Sequence, residues 1–429
     1  MGAKSLHIGT PQLLQGVWWQ AACRHRLRPG NLVVAIALLG FATCSPVSAA
    51  PAPDKFPPDP LEITKPDPLL PATERPLTAE DQTQLAAALD TLNAQAAAQL
   101  KAGNSTAAFD LWNRELRLRR ALGLLAEVKA LGRVGSTAWG ENQASEVQVI
   151  TKRLQAIDKQ VKAQPIPDLA VWKALGQAYE QVRSPGLALN AYQQILTQVR
   201  QQGDPAAETA TLNTIAQLHS SWFDFAKAAA TYQELLTLTQ TQSNTASPAQ
   251  KRQQQVAYLQ ELAYIYEKAK QPEQAIAIQQ QLVNLYQNEK DLSQVPALKQ
   301  AIAANYQALG QLDQAEQTYK EGYALAQSLQ QLYNASESLQ QLGDLYRTNN
   351  KLEDALRVYE FLVSVEQQSY NLYGMMNTYD QVGQINLARK AYPQALEAFQ
   401  KGLELAQQLK YQEAYFAQQI EQVTQQSPR

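Results

Sequence analysis

One pattern recurs along this 429-residue chain and leaves little freedom in how it can fold. An apolar pair is followed by Gly or Ala, then by Tyr or a substitute three residues on. An Ala comes nine residues later, usually with an aromatic four beyond it. The first copy holds Trp172, Leu175, Gly176, Tyr179, Ala188 and Tyr192; the second holds Leu212, Ile215, Ala216, His219, Ala228 and Tyr232. The third holds Leu259, Leu262, Ala263, Tyr266 and Ala275, with Gln279 in place of the aromatic. The fourth holds Ile302, Ala303, Tyr306, Ala315 and Tyr319, with Lys299 in place of its first apolar residue. The fifth is Leu339, Leu342, Gly343, Tyr346, Ala355 and Tyr359; the sixth is Tyr379, Val382, Gly383, Asn386, Ala395 and Phe399. The tyrosine slot falls at 179, 219, 266, 306, 346 and 386, a step of 40 except for one of 47. The longer step contains Ser243 to Pro248, which reads as a loop insertion.

The first four slots recur at spacings of three and four and so share one face of a first helix. The small residue lets a neighbouring helix come close. Turn signals follow, at Ser184 to Gly186 and at Thr348 to Asn350. The later Ala and aromatic mark the inner face of a second, antiparallel helix. Each pair buries too little surface alone and must stack on its neighbours, which makes a solenoid. Composition agrees, because Ala, Leu and Gln are good helix formers and few stretches alternate as strands require. The expected fold class is all-α, with six helix pairs over 164–410.

These residues resemble the tetratricopeptide pattern of Trp, Leu-Gly, Tyr, Ala and Phe, over roughly 169–410. The usual repeat of that family is about 34 residues. A step of 40 therefore implies longer helices, as in extended relatives of the kinesin light chain kind. The resemblance implies a right-handed superhelical solenoid whose job is protein binding. First-helix residues facing away from the packing side would line a groove for a protein or peptide segment. Carried onto this chain, those are Lys173, Gln177, Asn213, Gln217, Gln260, Tyr264, Gln300, Gln340, Asp344, Asp380 and Gln384. The set is mostly neutral and hydrogen-bonding, which suits an extended backbone or a helix. The plainer reading is that Gln simply fills solvent-exposed helix positions. Relatives that hold a peptide's C-terminal carboxylate use lysines, an arginine and asparagines over adjacent repeats. Lys173 alone matches part of that clamp, so carboxylate capture is not expected.

Outside the six copies the pattern decays. Ala108 and Trp112 have second-helix spacing with 79–102 as partner, while Leu131, Gly132 and Trp139 suggest a further repeat in either of two registers. The stretch 78–163 reads as an N-terminal helical region with degenerate repeats, opened by Thr78 to Asp81 as a helix start. Tyr415, Phe416, Ile420 and Val423 make 411–429 a capping helix and tail.

The N-terminus is of a different kind. Before residue 50 the chain carries Lys4, Arg24, Arg26 and Arg28 and no Asp or Glu. The basic stretch 24–31 leads into an apolar run from Leu32 to Ala42, then into Val47, Ser48 and Ala49. This is the order of a secretory signal, with cleavage after Ala49, and the apolar run is too short to span a bilayer comfortably. Residues 1–49 are therefore expected to be a signal peptide, and the protein to be exported to the periplasm or another extracytoplasmic compartment. Membrane contact would arise only through this segment, if uncleaved or lipidated at Cys44. Cys23 and Cys44 both lie in it, so the mature chain would have no thiol. Ten prolines between Pro46 and Pro76 make 50–77 a disordered, extended linker. The remainder carries 33 basic and 39 acidic residues, which argues against nucleic acid as a partner.

Few residues invite a chemical reading. Tyr179, Tyr266, Tyr306 and Tyr346 are expected to pack between helices. His219 shares their slot and has no second His or Cys to complete a metal site. No cofactor or metal is expected. Phosphate-binding glycine loops, HExxH and G-x-S-x-G are absent, so the chain is not read as an enzyme. An enzyme with an unrecognised site would place it in 79–163. Arg114, Arg117, Arg119 and Arg120 form the densest basic run. They read either as a solvated helix paired with Glu115 and Glu127, or as a docking patch for an acidic partner or head group. The resulting expectation is an exported scaffold, adaptor or assembly factor. Its rival is a structural subunit of an envelope complex, bound through its outer face or the arginine-rich helices.

Overall fold

The structure, a computed structural model, describes residues 59–63, 66–71, 75–164, 168–241 and 247–427. The leader expected over 1–49, with Cys23, Cys44 and the cleavage point, lies outside the described residues. Among the described residues every regular element is helical. The N-terminal part holds α1 (Ala79–Lys101), α2 (Ser105–Arg119), a short 3-10 turn (Arg120–Leu122), α3 (Leu124–Gly140) and α4 (Ala144–Lys162). The first three recognised repeats are α5 (Leu169–Gln181) with α6 (Pro185–Gln202), α7 (Pro205–Ser221) with α8 (Phe225–Thr241), and α9 (Pro248–Lys268) with α10 (Pro272–Asn288). The next three are α11 (Val295–Ala308) with α12 (Leu312–Ser328), α13 (Leu332–Thr348) with α14 (Leu352–Gln368), and α15 (Leu372–Ala388) with α16 (Tyr392–Leu409). A single helix, α17 (Glu413–Gln426), follows.

Consecutive helices pack on one another, and first helices also meet across repeats, as α3 does with α5 and α11 with α13. The core is a row of buried side chains along the stack, from Phe109 in α2 to Val423 in α17. The fold is an all-α solenoid of helix pairs.

Each pair closes in the same way. Two residues past the end of each first helix the backbone adopts a left-handed φ, at Gly103, Asn142, Arg183, Phe223, Lys270, Gly310, Asn350 and Lys390. The next amide then donates back to the carbonyl of the tyrosine slot: Ser184 to Tyr179 at 2.8 Å, Gln271 to Tyr266 at 2.9 Å and Lys351 to Tyr346 at 2.9 Å. This closure satisfies a helix-end carbonyl that would otherwise lack a donor. It also settles the upstream register. Gln143 donates to Ala138 at 2.8 Å and Asn104 to Gln99 at 2.9 Å, so Ala138 and Gln99 hold the slot in α3 and α1. Gly135 then occupies the small-residue position, where an added Cβ would crowd Val182 of the next repeat. The chain thus forms eight helix pairs among the described residues, two of them upstream of the six copies read from sequence.

Two sequence expectations change. The seven extra residues between the second and third repeats are not all loop. Part of them lengthen α9 to 21 residues against 17 for α13, with Ser247 capping its start; 242–246 lie outside the described residues. Nor is the proline-rich segment a free tether throughout. At 59–63 and 66–71 it is held against the body, with Leu61 buried in the core cluster that contains Trp112. Its Asp67 takes two hydrogen bonds from Arg114, at 2.7 and 2.9 Å. Proline blocks helix but not a strap of turns with a buried leucine and acids facing arginines.

Candidate functional site

The residues expected to line a groove fall into two rows on the first helices. One row, at the position of Asn213, Gln340 and Asp380, borders hollows between successive first helices. Between α7 and α9 the hollow is lined by Asn213 with Thr209, Gln250, Gln253 and Gln254. Between α13 and α15 an open hollow of about 730 Å³ brings Gln340 and Asp380 together. Gln300 in the same row is already engaged, donating to the Asn334 carbonyl at 2.7 Å and to Ser338 at 3.0 Å. Asn213 likewise donates to the Tyr258 hydroxyl at 3.1 Å. Lys173, Gln177, Gln217 and Gln260 are exposed, as is Tyr264, which has the Lys268 ammonium 5.3 Å from its ring centre.

Two of the expected groove positions serve other ends. Asp344 accepts the hydroxyl of the fully buried Tyr359 at 3.0 Å and an amide hydrogen bond from Gln340 at 3.0 Å. It satisfies a core phenol from the edge of the repeat. Gln384 is met by α17, donating to Tyr415 at 3.1 Å and Gln419 at 3.0 Å. A sequence position facing away from its own partner helix is not thereby free, because the next repeat can reach it.

The larger hollow contains residues that repeat spacing does not flag: Tyr333, Ser336, Glu337, Glu366, Asn371 and Asn377. Glu366 lies in the last turn of α14, yet the residue is only 4 % exposed. Hydroxyls from two first helices hold it, Thr378 at 3.0 Å and Ser336 at 3.3 Å. Burial pushes its carboxyl up to about 7, and those two hydrogen bonds offset part of the rise. The neighbouring Gly374 makes room, since a Cβ there would stand 2.6 Å from the Glu366 carboxyl carbon. No spacing rule could announce this glutamate, because three helices are needed to bury it.

The arginine run is not an open patch. Arg114 binds Asp67, Arg117 donates to the Pro60 carbonyl at 2.6 Å, and Arg120 donates to the Leu61 carbonyl at 2.7 Å. Arg119 bonds Glu115 at 3.1 Å and also Asp90. Glu115 is fully buried between Arg119 and Arg133, and the buried Glu127 takes Arg153 at 2.6 Å. These ion pairs tie α2, α3 and α4 together. Arg120 also meets Glu127 at 3.3 Å, so the pairing with Glu115 and Glu127 read from sequence is present. Residues 60, 61 and 67 of the chain itself occupy Arg114, Arg117 and Arg120 where a docking patch would need them free, which corrects the docking-patch reading.

His219 sits in the tyrosine slot of α7, 8 % exposed, and burial lowers its pKa. Among the described residues no group of His, Cys, Asp or Glu is placed to hold a metal ion, and no helix is long and apolar enough to cross a membrane.

Stacked helix pairs with a shared closure at the tyrosine slot define a repeat protein of the tetratricopeptide type. A family model described as tetratricopeptide repeat matches residues 256–289, the greater part of α9 and all of α10. Such solenoids are in general protein-interaction scaffolds. Among solved structures, BtubC from P. vanneervenii is 16 % identical, with 53 % of this chain and 92 % of that chain covered at a TM-score of 0.37. A putative kinesin light chain from Podosopora anserina is 16 % identical, covering 47 % and 96 % at 0.33. A tetratricopeptide repeat protein from Parabacteroides merdae is 17 % identical, covering 67 % and 96 % at 0.29. Superpositions this loose transfer no ligand or partner. No curated protein matches the chain in sequence.

Proposed function

We propose that this protein is an exported scaffold or assembly factor that holds a segment of another protein along its first helices. The observation that carries the reading is the pair of polar hollows between successive first helices, α7 with α9 and α13 with α15. Amides and hydroxyls line both, which suits the backbone and side chains of an extended segment. The reading assigns the chain no catalytic step. Export rests on the leader pattern of residues 1–49 and on the thiol-free body that follows it. The rival attachment through the arginine-rich helix is disfavoured, because the chain's own residues 60–67 take those guanidinium groups.

The test is affinity capture from the native envelope, comparing the parent with Gln260→Ala/Tyr264→Ala/Gln340→Ala and identifying bound proteins by mass spectrometry. A partner lost from the variant at unchanged helicity is the expected result. A partner retained by both, or no capture even after cross-linking, overturns the reading.

A further inference from the structure

The buried acids Glu115 and Glu127 each sit against arginines, at 2.7 and 2.6 Å. The hollow between α13 and α15 breaks that rule. Its lining includes Glu337, Glu366 and Asp380 and no Lys, Arg or His. Their bonds come from neutral donors: the Gln341 amide to Glu337 at 2.9 Å, the Tyr415 hydroxyl to Asp380 at 2.8 Å, and two hydroxyls to Glu366. A buried carboxylate without a counter-ion is costly, and Glu366 lines this hollow with two hydroxyls and no cation beside it.

A second feature lies at the rim. Tyr333, the second residue of α13, is 78 % exposed and borders the hollow. Tyr373 holds the same position in α15, half exposed, with its ring 5.9 Å from that of Tyr411. Aromatic faces attract cations, most strongly where carboxylates stand nearby. The carboxylates do not converge as metal ligands do, which favours an extended cation over a point ion.

We infer that the hollow between α13 and α15 receives an arginine or lysine side chain from an extended segment of a partner protein. Glu337 and Asp380 supply the counter-charge beside Glu366, and Tyr333 forms the rim. The inference rests on the groove reading above and adds the chemistry of the bound segment.

The test is fluorescence anisotropy of the full chain with a labelled, terminally blocked peptide of alternating glycine and arginine. Its counterparts carry glutamine or glutamate in place of arginine. The arginine peptide should bind about tenfold more tightly than the glutamine one, with the glutamate peptide weakest. Glu337→Gln/Asp380→Asn should remove that preference, and Tyr333→Ala should weaken binding by roughly threefold. Glu337→Lys, a single change on the surface of α13, gives the same readout if the double variant loses helicity. Gln193→Ala/Gln194→Ala, exposed on α6 and outside the groove positions, should change nothing. Equal binding of the arginine and glutamine peptides, or full binding by the acid-free variants, overturns the inference. So does spermidine binding as tightly as the peptide, which would mark a site for small cations. None of these failures affects capture of the envelope partner, so the groove reading stands or falls separately.

Discussion

A methyl group placed on Gly176 would lie 2.8 Å from the Cζ atom of Tyr192. The small residue of the first helix and the aromatic of the second are therefore one contact, which is why they recur as a pair. Gly383 meets Phe399 in the same way, and Gly402 meets Phe416 of α17. Overpacking of this sort costs about 1–3 kcal/mol. Alanine regains roughly 1 kcal/mol in helix propensity, so Gly176→Ala should be destabilising on balance. Gly186, at the start of α6, has no heavy atom within 4 Å of such a methyl. Gly186→Ala should be neutral or slightly stabilising. Urea midpoints for the two variants check this, and equal shifts would refute the packing argument.

The strap at 59–63 and 66–71 yields a second prediction. Arg117 and Arg120 hold it through the carbonyls of Pro60 and Leu61. Hydrogen bonds from charged groups are worth about 1.5–3 kcal/mol each. Arg117→Gln/Arg120→Gln should therefore raise protease cleavage within 59–71 on the order of tenfold, with helicity unchanged. Leu61→Asp should act likewise by expelling the strap from the core. Limited proteolysis read by mass spectrometry measures both. Cleavage at the parent rate would mean that the strap is not held by these contacts.

Glu366 should make the local stability of α14 and α15 depend on pH. Its folded-state pKa of about 7 lies above the ordinary value of 4.5, so the native state keeps its proton longer than the unfolded chain does. Below 4.5 both states are protonated and nothing is lost. As pH rises from there to 7 the unfolded chain ionises first and stability falls, by roughly 3 kcal/mol in all. Ser336, Thr378, Glu337 and Asp380 surround it or share its hollow, and no histidine lines that hollow. Glu366→Gln should flatten the profile and be the more protected protein at pH 8. Hydrogen exchange in α14 and α15 between pH 5 and 8 is the measurement, and parallel profiles for parent and variant would contradict it.

Much of the solenoid could be read from residues alone, because its rules are local. Slots three and four apart share a helix face whatever surrounds them, so Leu342, Gly343 and Tyr346 announce α13 before any contact is known. The small-to-aromatic pairing, as in Gly343 with Tyr359, carries that reading across one turn to the next helix. In 79–163 the signal fails, because Ala138 and Gln99 hold the slot without the aromatic that marks it. There the left-handed residues Asn142 and Gly103 set the register through backbone hydrogen bonds that no side-chain pattern reports. The tertiary structure alone decided where charges meet. Arg114 and Asp67 are 47 residues apart, and Glu366 needs Ser336 and Thr378 from two other helices. Burial and electrostatic pairing depend on how the repeats stack. Periodicity tells which face a residue is on, and only the neighbour on that face tells whether the residue is free.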